Sequence, residues 1–188
     1  GFFKNINLQY TFRGENRINT TDSLFFKKEM FDDAIYGMKH TIPLSTNFKV
    51  LKHLSVSVNG NFEEIWTGNT IERNDFNSTT QEQSEKIKIK GFDRFNQYNF
   101  GMSVGTTIYG LFNFKETSKV QSIRHVIRPS VSYNIRPSFK KYYDTYIIDA
   151  DGNTAEYTRF ENNFFGLPSK RYSSSIGLQI TGAAVLST

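Results

Sequence analysis

The chain has 188 residues and a formal net charge of +5 at pH 7, but charges of both signs interleave, which does not predict a nucleic-acid-binding surface. It contains no cysteine, which excludes a disulfide, a cysteine-ligated zinc site and a thiol nucleophile. Mean hydropathy is -0.50 and no stretch approaches the roughly 20 apolar residues of a membrane-spanning helix, yet 15% of the residues are aromatic, which argues against disorder.

Period-2 alternation of apolar and polar residues dominates the chain, and no convincing amphipathic helix interrupts it. Near the N-terminus, for example, Ile6 and Leu8 alternate with Asn5 and Asn7. The alternation predicts about six strands. In chain order they cover residues 2–12, 34–50, 54–66, 92–114, 123–139 and 172–186.

The connections between these strands alternate in length. Long outer loops are expected near 13–33, 67–91 and 137–170, and short periplasmic turns near 51–53 and 115–121. Strands above ten residues exceed the usual five or six of soluble proteins, and a meander with every second connection long is typical of outer-membrane barrels. The sequence therefore predicts an all-β fold, an antiparallel meander of long strands that is part of a large transmembrane outer-membrane β-barrel.

Two other architectures share the alternation. A soluble or surface β-sandwich binding module also buries one face of each strand, but its wet face would carry more Lys and Glu than the Asn, Ser, Thr, Gly and Gln found here. A different outer-membrane transporter barrel would show the same strands. Since the smallest bacterial barrels have about eight strands, we expect residues 1–188 to be a single segment of a larger barrel.

Six aromatic residues fall near predicted strand ends, as in the aromatic girdles of membrane barrels. They are Tyr10, Phe12, Phe62, Trp66, Phe112 and Phe114. We interpret them as membrane-interface residues.

The fifth predicted strand carries a ladder of arginines, Arg124, Arg128 and Arg136, on one face. A lipid-facing arginine near the bilayer midplane costs about 2–4 kcal/mol, so these side chains are predicted to point into the lumen. There they either pair with lumen carboxylates such as Glu63, or bond to neighbouring Asn, or contact an anionic passenger through the guanidinium fork.

Pro43 and Pro129 each remove one backbone N–H donor inside a predicted strand. One interpretation is a bulge or an edge position. The other is a deliberately weakened seam at which strands part.

The segment DADGN at 149–153 resembles the start of a calcium loop. However, the twelfth position, which needs a bidentate acid, is Phe160, and the flanking residues predict a hairpin with an Asp-Gly turn. His40, His53 and His125 lack metal spacing. No catalytic grouping is readable, so we expect no enzyme activity, no cofactor and no metal site.

Lys86, Lys88 and Lys90 share one face of a short alternating stretch. They are expected either on a solvated strand extension in an outer loop or in contact with anionic lipid headgroups.

Two segments resemble the LptD family, the lipopolysaccharide-assembly outer-membrane proteins. One is GTTIYGLFNF…IRHVIRPSVSYNIRPSF at 105–139, and the other is YGMKHTIPLSTNFKVLKHLSVSVNGNFEEIW at 36–66. The motif Arg-His-x-Ile-x-Pro followed by an alternating aromatic strand is more specific than alternation alone. The resemblance covers most of residues 36–139.

The resemblance implies a barrel of about two dozen strands in the cell outer membrane. It implies that lipopolysaccharide arrives from a periplasmic bridge and passes through the lumen and a lateral seam into the outer leaflet. Lipopolysaccharide, outer-membrane lipids and an LptE-like plug lipoprotein are then the expected partners, with no nucleic acid. No chemistry is expected on the lipid.

Overall fold

The computed structural model describes residues 5–32, 34–51, 53–115 and 119–187. Short elements come first: β1 (Ile6–Leu8), β2 (Thr11–Arg17), a 3-10 turn (Asp22–Leu24) and α1 (Lys28–Asp32). The strands that follow are β3 (Ile35–Val50), β4 (Leu54–Arg73), β5 (Lys86–Thr106), β6 (Ile108–Asn113) and β7 (Ser122–Arg136). A second 3-10 turn (Lys140–Tyr142) precedes β8 (Tyr143–Ile147), β9 (Thr154–Thr158) and β10 (Ser173–Ser187). Among these residues, no helix combines the length and apolar character that crossing a bilayer requires.

One antiparallel sheet follows the order of the chain. Its neighbours run β1–β3–β4–β5–β7–β10, while β2 also pairs with β3 and β6 also pairs with β7. Leu8 pairs with Leu44 and Thr11 with Thr41, so β1 and β2 share one register against β3 and act as one interrupted strand. The predicted all-β antiparallel meander is confirmed.

The pairing sorts side chains into two faces. Rows such as Val58, Met102 and Tyr133 lie on what we call the apolar face, and rows such as Ser57, Ser103 and Ser132 lie on the opposite polar face. Large side chains of the apolar face are exposed in this single-layer sheet, Leu178 by 72%. A sandwich would cover such a face with a second sheet, and no second sheet layer covers it among the described residues.

Two strands are longer than the alternation predicts. β4 continues to Arg73 and β5 begins at Lys86, so most of the stretch 67–91, expected as an outer loop, is paired strand. In β4 alternation fails as a signal there because residues 67–71 are buried on both faces of the strand, Ile71 against another part of the chain, whereas residues 86–90 of β5 alternate and are exposed. The Ile71 N–H, for example, donates to the Arg159 carbonyl oxygen at 2.9 Å, and Ile71 is 2% exposed.

The β4–β5 register shifts once, between Thr67 and Asn69. Gly91, which has φ +148°, lies in β5 opposite this shift, where only glycine adopts the backbone without strain. Gly68 lies within the shift, and a Cβ there would be 1.8 Å from the Cζ of Tyr36. The Tyr36 ring therefore rests on the bare backbone of Gly68.

We expect Gly68→Ala to displace the Tyr36 ring and to lower the unfolding free energy by about 1–3 kcal/mol, the usual cost of overpacking. Urea unfolding followed by circular dichroism measures this loss. Gly60→Ala is the matched control on the same strand, since a Cβ there meets only the Asn99 carbonyl oxygen at an ordinary 3.6 Å. Equal stability of the two variants would contradict the packing described for Tyr36.

Candidate functional site

The polar face of the sheet is the candidate site, because small neutral polar residues line it over four neighbouring strands. Successive rows comprise Asn59, Gly101, Asn134 and Ser175, then Ser57, Ser103, Ser132 and Gly177, then Ser55, Gly105, Ser130 and Gln179. Hydroxyl, amide and glycine residues hold water and polar ligands without fixed charge. The face therefore forms a hydrated surface along the strands.

Two asparagines meet across a glycine in this face. A Cβ on Gly101 would lie 2.6 Å from Asn134 Oδ1 and 2.7 Å from Asn59 Oδ1, so Gly101 makes room for both amides. The asparagines, together with Arg136 and Ser173, line a cavity of about 330 Å³. Amide and guanidinium groups supply both donors and acceptors to a polar ligand there.

Glu63 is engaged by residues other than arginine. Its Oε1 lies 2.7 Å from Lys39 Nζ, and its Oε2 accepts a 2.9 Å hydrogen bond from Gln97 Nε2. Lys39 and Gln97 come from the strands on either side, so the carboxylate is satisfied across β3, β4 and β5. The alternative that Glu63 forms an ion pair with Arg124, Arg128 or Arg136 is therefore corrected.

The three arginines of β7 lie on the polar face at different heights. Arg136 borders the asparagine cavity, Arg128 borders a second cavity with Gln179 and Thr181, and the Arg124 guanidinium lies 5.7 Å from the ring centroid of Tyr109. Within the described part of the chain, no carboxylate forms an ion pair with any of the three. The face consequently carries a column of positive charge that no carboxylate of the described residues neutralises by an ion pair.

Pro43 lies inside the sheet rather than at an edge or a bulge. It faces Asn61 in the uninterrupted β3–β4 ladder. On its other side the ladder is broken between Leu8 and Thr11, although the register is the same before and after the gap. The Pro43 carbonyl oxygen still accepts a 3.2 Å bond from the Gln9 N–H. The interpretation as a bulge or edge position is therefore corrected.

Pro129 repeats this arrangement in β7. It faces Ile180 in the continuous ladder with β10, while β5 ends at Thr106 and β6 begins at Ile108 on its other side. The pairing register is again unchanged across the gap, so this proline too marks neither a bulge nor an edge. Each proline removes a bond from one seam only. The separation of neighbouring strands at the seams beside Pro43 and Pro129 remains a prediction.

The long connection 137–172, which we call the cap, folds onto the end of the polar face that carries Ile65 and Phe95. Ile65 of β4, Phe95 of β5 and Phe160 of the cap form a buried cluster, each at most 1% exposed, against which Tyr142 and Phe165 pack. This stretch was expected to be a long outer loop near 137–170, and alternation gave no sign of the cluster. The aromatic run FENNFF at 160–165 was the signal that could have revealed it.

Ion pairs join the cap to the extended ends of β4 and β5. Glu161 lies 3.1 Å from Lys86 Nζ and 3.5 Å from Arg73 Nη2. The Arg159 guanidinium lies 2.6 Å from Asp93 Oδ2. Lys86 therefore lies on a strand extension, as one of its two interpretations predicted. Its ammonium group contacts Glu161 of the cap.

The segment at 149–153 is the turn of the β8–β9 hairpin, as its flanking residues predict. Asp149 Oδ1 accepts bonds from the N–H groups of Asp151 and Asn153 at 3.1 and 3.0 Å, and Oδ2 accepts one from Asn153 Nδ2 at 2.8 Å. These bonds, above all that from the Asn153 side chain, lower the pKa of the Asp149 carboxyl from its usual range. No cluster of three metal-ligating side chains occurs in the part of the chain that the structure describes.

The predicted interface aromatics occupy two levels of the apolar face. Near the long connections, His40 lies 5.3 Å from Phe12 and 4.3 Å from Trp66, ring centroid to centroid, and Tyr10 Oη is 2.8 Å from His40 Nδ1. Phe62 lies on the same face two residues before Glu64 and its partner His40. Phe112 and Phe114 lie at the opposite end, near the short 115–121 connection, and are 64% and 50% exposed.

A single-layer antiparallel sheet of long strands, with one exposed apolar face and one face lined by hydroxyls and amides, is the construction of an outer-membrane β-barrel protein. The family model described as LptD protein matches residues 1–183. The chain therefore belongs to the LptD family, which acts in lipopolysaccharide transport and assembly at the outer membrane. The resemblance noted over 36–139 is confirmed and extends to nearly the whole chain. No curated protein and no solved structure matches it.

We expect Phe160→Ala to release the cap, because truncating a fully buried Phe costs about 3–5 kcal/mol. Hydrogen exchange over residues 139–170 should speed up, while exchange in β7 stays unchanged. Phe25→Ala is the control, since that side chain is 59% exposed. Unchanged exchange in the Phe160 variant would mean that the cluster does not hold the cap.

The hairpin turn should weaken in acid. Since the folded pKa of Asp149 lies below the unfolded value of about 3.9, its stabilisation is complete above that value and is lost as pH falls through the folded pKa. The ¹³C shift of the Asp149 carboxyl reports this titration. In the Asn153→Ala variant the pKa should move up toward the unfolded value, and an identical titration in both proteins would contradict the bonding described.

Proposed function

We propose that this chain is a membrane-spanning segment of an LptD barrel and that its polar face lines the lumen through which lipopolysaccharide reaches the outer leaflet. The observation that carries the proposal is the arginine column on the polar face. Arg124, Arg128 and Arg136 stand among neutral polar residues with no carboxylate partner in the described chain. Their charge is therefore available to an anionic passenger.

The extent of the apolar face supports the membrane placement. Apolar residues alternate through 42–50, 54–62 and 98–106, which pair with one another across β3, β4 and β5. Each stretch is about the 9–11 residues that a tilted membrane-spanning strand needs. The short 51–53 connection then lies on the periplasmic side, and the cap lies outside. On this proposal the chain lies in the cell outer membrane.

Charge and geometry explain how the polar face would act. Lipopolysaccharide is an acidic, phosphorylated glycolipid, and the arginine fork matches the oxygen geometry of phosphate and carboxylate groups. Arg124 and Arg136 are twelve residues apart in one strand, about 40 Å at the usual rise per residue. An anionic headgroup moving outward would meet successive cations and, between them, hydroxyl and amide groups. No covalent chemistry is proposed.

We propose partners outside this chain by resemblance to the family. A periplasmic bridge would deliver lipopolysaccharide at the end of the short connections, and an LptE-like plug lipoprotein would occupy the lumen beside the polar face. The cap lies where the passenger leaves the lumen. The cap and plug together would keep the lumen closed between transport events.

The test is removal of the column's charge in the full-length protein. Because a hydrogen bond to a charged group contributes about 1.5–3 kcal/mol, we expect the combined Arg128→Gln and Arg136→Gln variant, which removes two such contacts, to lower surface lipopolysaccharide at least roughly a hundredfold. The control is Lys141→Gln, which removes an exposed cation from the cap. The variant with Arg128→Lys and Arg136→Lys keeps both charges and should restore part of the export that the glutamine variant loses.

Outer-membrane levels of each variant must match those of the parent protein for the comparison to count. Normal export by the glutamine variant at normal protein levels would remove the passenger contact. The arginines would then be structural residues that bond only to neighbouring amides and water.

A further inference from the structure

A groove opens on the apolar face at the outer end of β3, β4 and β5. Tyr36, Met38, Trp66 and Phe92 line it with apolar surface, and its volume is about 220 Å³. It lies on the side of the sheet opposite the arginine column. The polar face and its function therefore do not account for it.

Backbone features particular to this region build the groove. Gly68 lets the Tyr36 ring lie directly on the strand, and Gly91, with φ +148°, precedes Phe92 at the register shift. Phe92 then meets Trp66 edge to face, with ring centroids 5.5 Å apart. The rings come from three neighbouring strands and leave a gap between them.

A charged pair lies beside the groove and is joined to it through Trp66. Glu64 Oε1 accepts bonds of 2.8 Å from both Trp66 Nε1 and Arg94 Nη1. The Glu64 side chain is only 18% exposed, whereas the Arg94 side chain is 63% exposed. A guanidinium has five N–H donors, so Glu64 orients the Arg94 fork while most of it faces outward.

The position of the groove along the strands indicates which part of a lipid can contact it. The apolar stretches end in the row of Ile42, Phe62 and Tyr98, and the next row contains His40 and Glu64. The groove begins one row further out, at Met38 and Trp66, where the rise per residue places it roughly 13 Å along the strands beyond the end of the apolar stretches. This step rests on the proposed function for the orientation of the sheet in the membrane.

We propose that this outer groove, formed by Tyr36, Met38, Trp66 and Phe92 with Arg94 beside it, binds the phosphorylated sugar headgroup of an outer-leaflet glycolipid. The rings offer flat surfaces to the C–H face of a sugar, and the oriented fork offers paired donors to a phosphate. An acyl chain is a poor fit, because it would have to pass the Glu64–Arg94 pair to reach the rings.

Trp66 is the one tryptophan in the 188 residues and reports directly on the groove. The full-length protein is placed in phosphatidylcholine nanodiscs, and the emission of the Trp66→Phe variant is subtracted from that of the parent. Adding lipopolysaccharide should produce a saturable change in the difference spectrum. Phosphatidylglycerol, which is anionic but has no sugar ring, should not.

The Arg94→Gln variant should raise the lipopolysaccharide fraction at half-saturation about tenfold, which corresponds to one charged contact of about 1.4 kcal/mol. Arg94→Lys keeps the charge but not the guanidinium fork, so its lipopolysaccharide fraction at half-saturation should lie between those of the parent and of Arg94→Gln. Phe92→Ala should weaken binding without touching the charged pair. Lys141→Gln, a cation outside the groove, should leave the titration unchanged.

An equal response to phosphatidylglycerol, or an Arg94→Gln titration identical to the parent's, would overturn the inference and leave the groove as part of an interface aromatic girdle only. Photocrosslinking of lipopolysaccharide from position 132 on the polar face tests the lumen separately. Crosslinking at 132 without a Trp66 response would refute the groove alone. A Trp66 response without crosslinking would instead refute the lumenal function.

Discussion

Alternation along a strand assigns every side chain to one face of the sheet, and a slip of one residue would exchange the two faces completely. The pairing register is therefore the constraint on which the structure depends. It continues unchanged past Pro43 and Pro129, each of which removes only one donor from one side. Keeping the register therefore limits the lost backbone hydrogen bonds to a single gap in each seam.

The polar face is not uniform along the strands, and the cap explains the difference. Beneath the cap the face is apolar, with Ile65 and Phe95 buried against Phe160. Further from the cap it carries serines, asparagines and arginines in register. The two ends of the face therefore differ: one is a buried apolar cluster, and the other is a hydrated, cationic surface. A passenger on the hydrated part would have to displace buried aromatic contacts to leave past the cap.

Alternation predicted the strands well because it is imposed by an environment that differs between the two faces. The fifth predicted strand, 123–139, differs from β7 (Ser122–Arg136) by only a few residues. Alternation failed at 67–73 because residues 67–71 of β4 are buried on both faces of the strand. It did not describe the cap because the cap buries aromatic residues without forming long strands. The ion pair of Glu63 with Lys39 and its hydrogen bond with Gln97 could not be predicted from the sequence either. Both depend on which strands are neighbours and on side-chain distances across them.

The single register shift connects the two sites. By adding one residue to β5 around Gly91, it turns Lys86 toward Glu161 of the cap while Phe92 stays on the opposite face beside Trp66. Without the shift, the strand extension would present its lysines to the apolar face and would lose its bonds to the cap. The same glycine therefore lets β5 hold the cap on one side of the sheet and frame the outer groove on the other. A change at Gly91 should disturb both, whereas a change at Phe160 should disturb the cap alone.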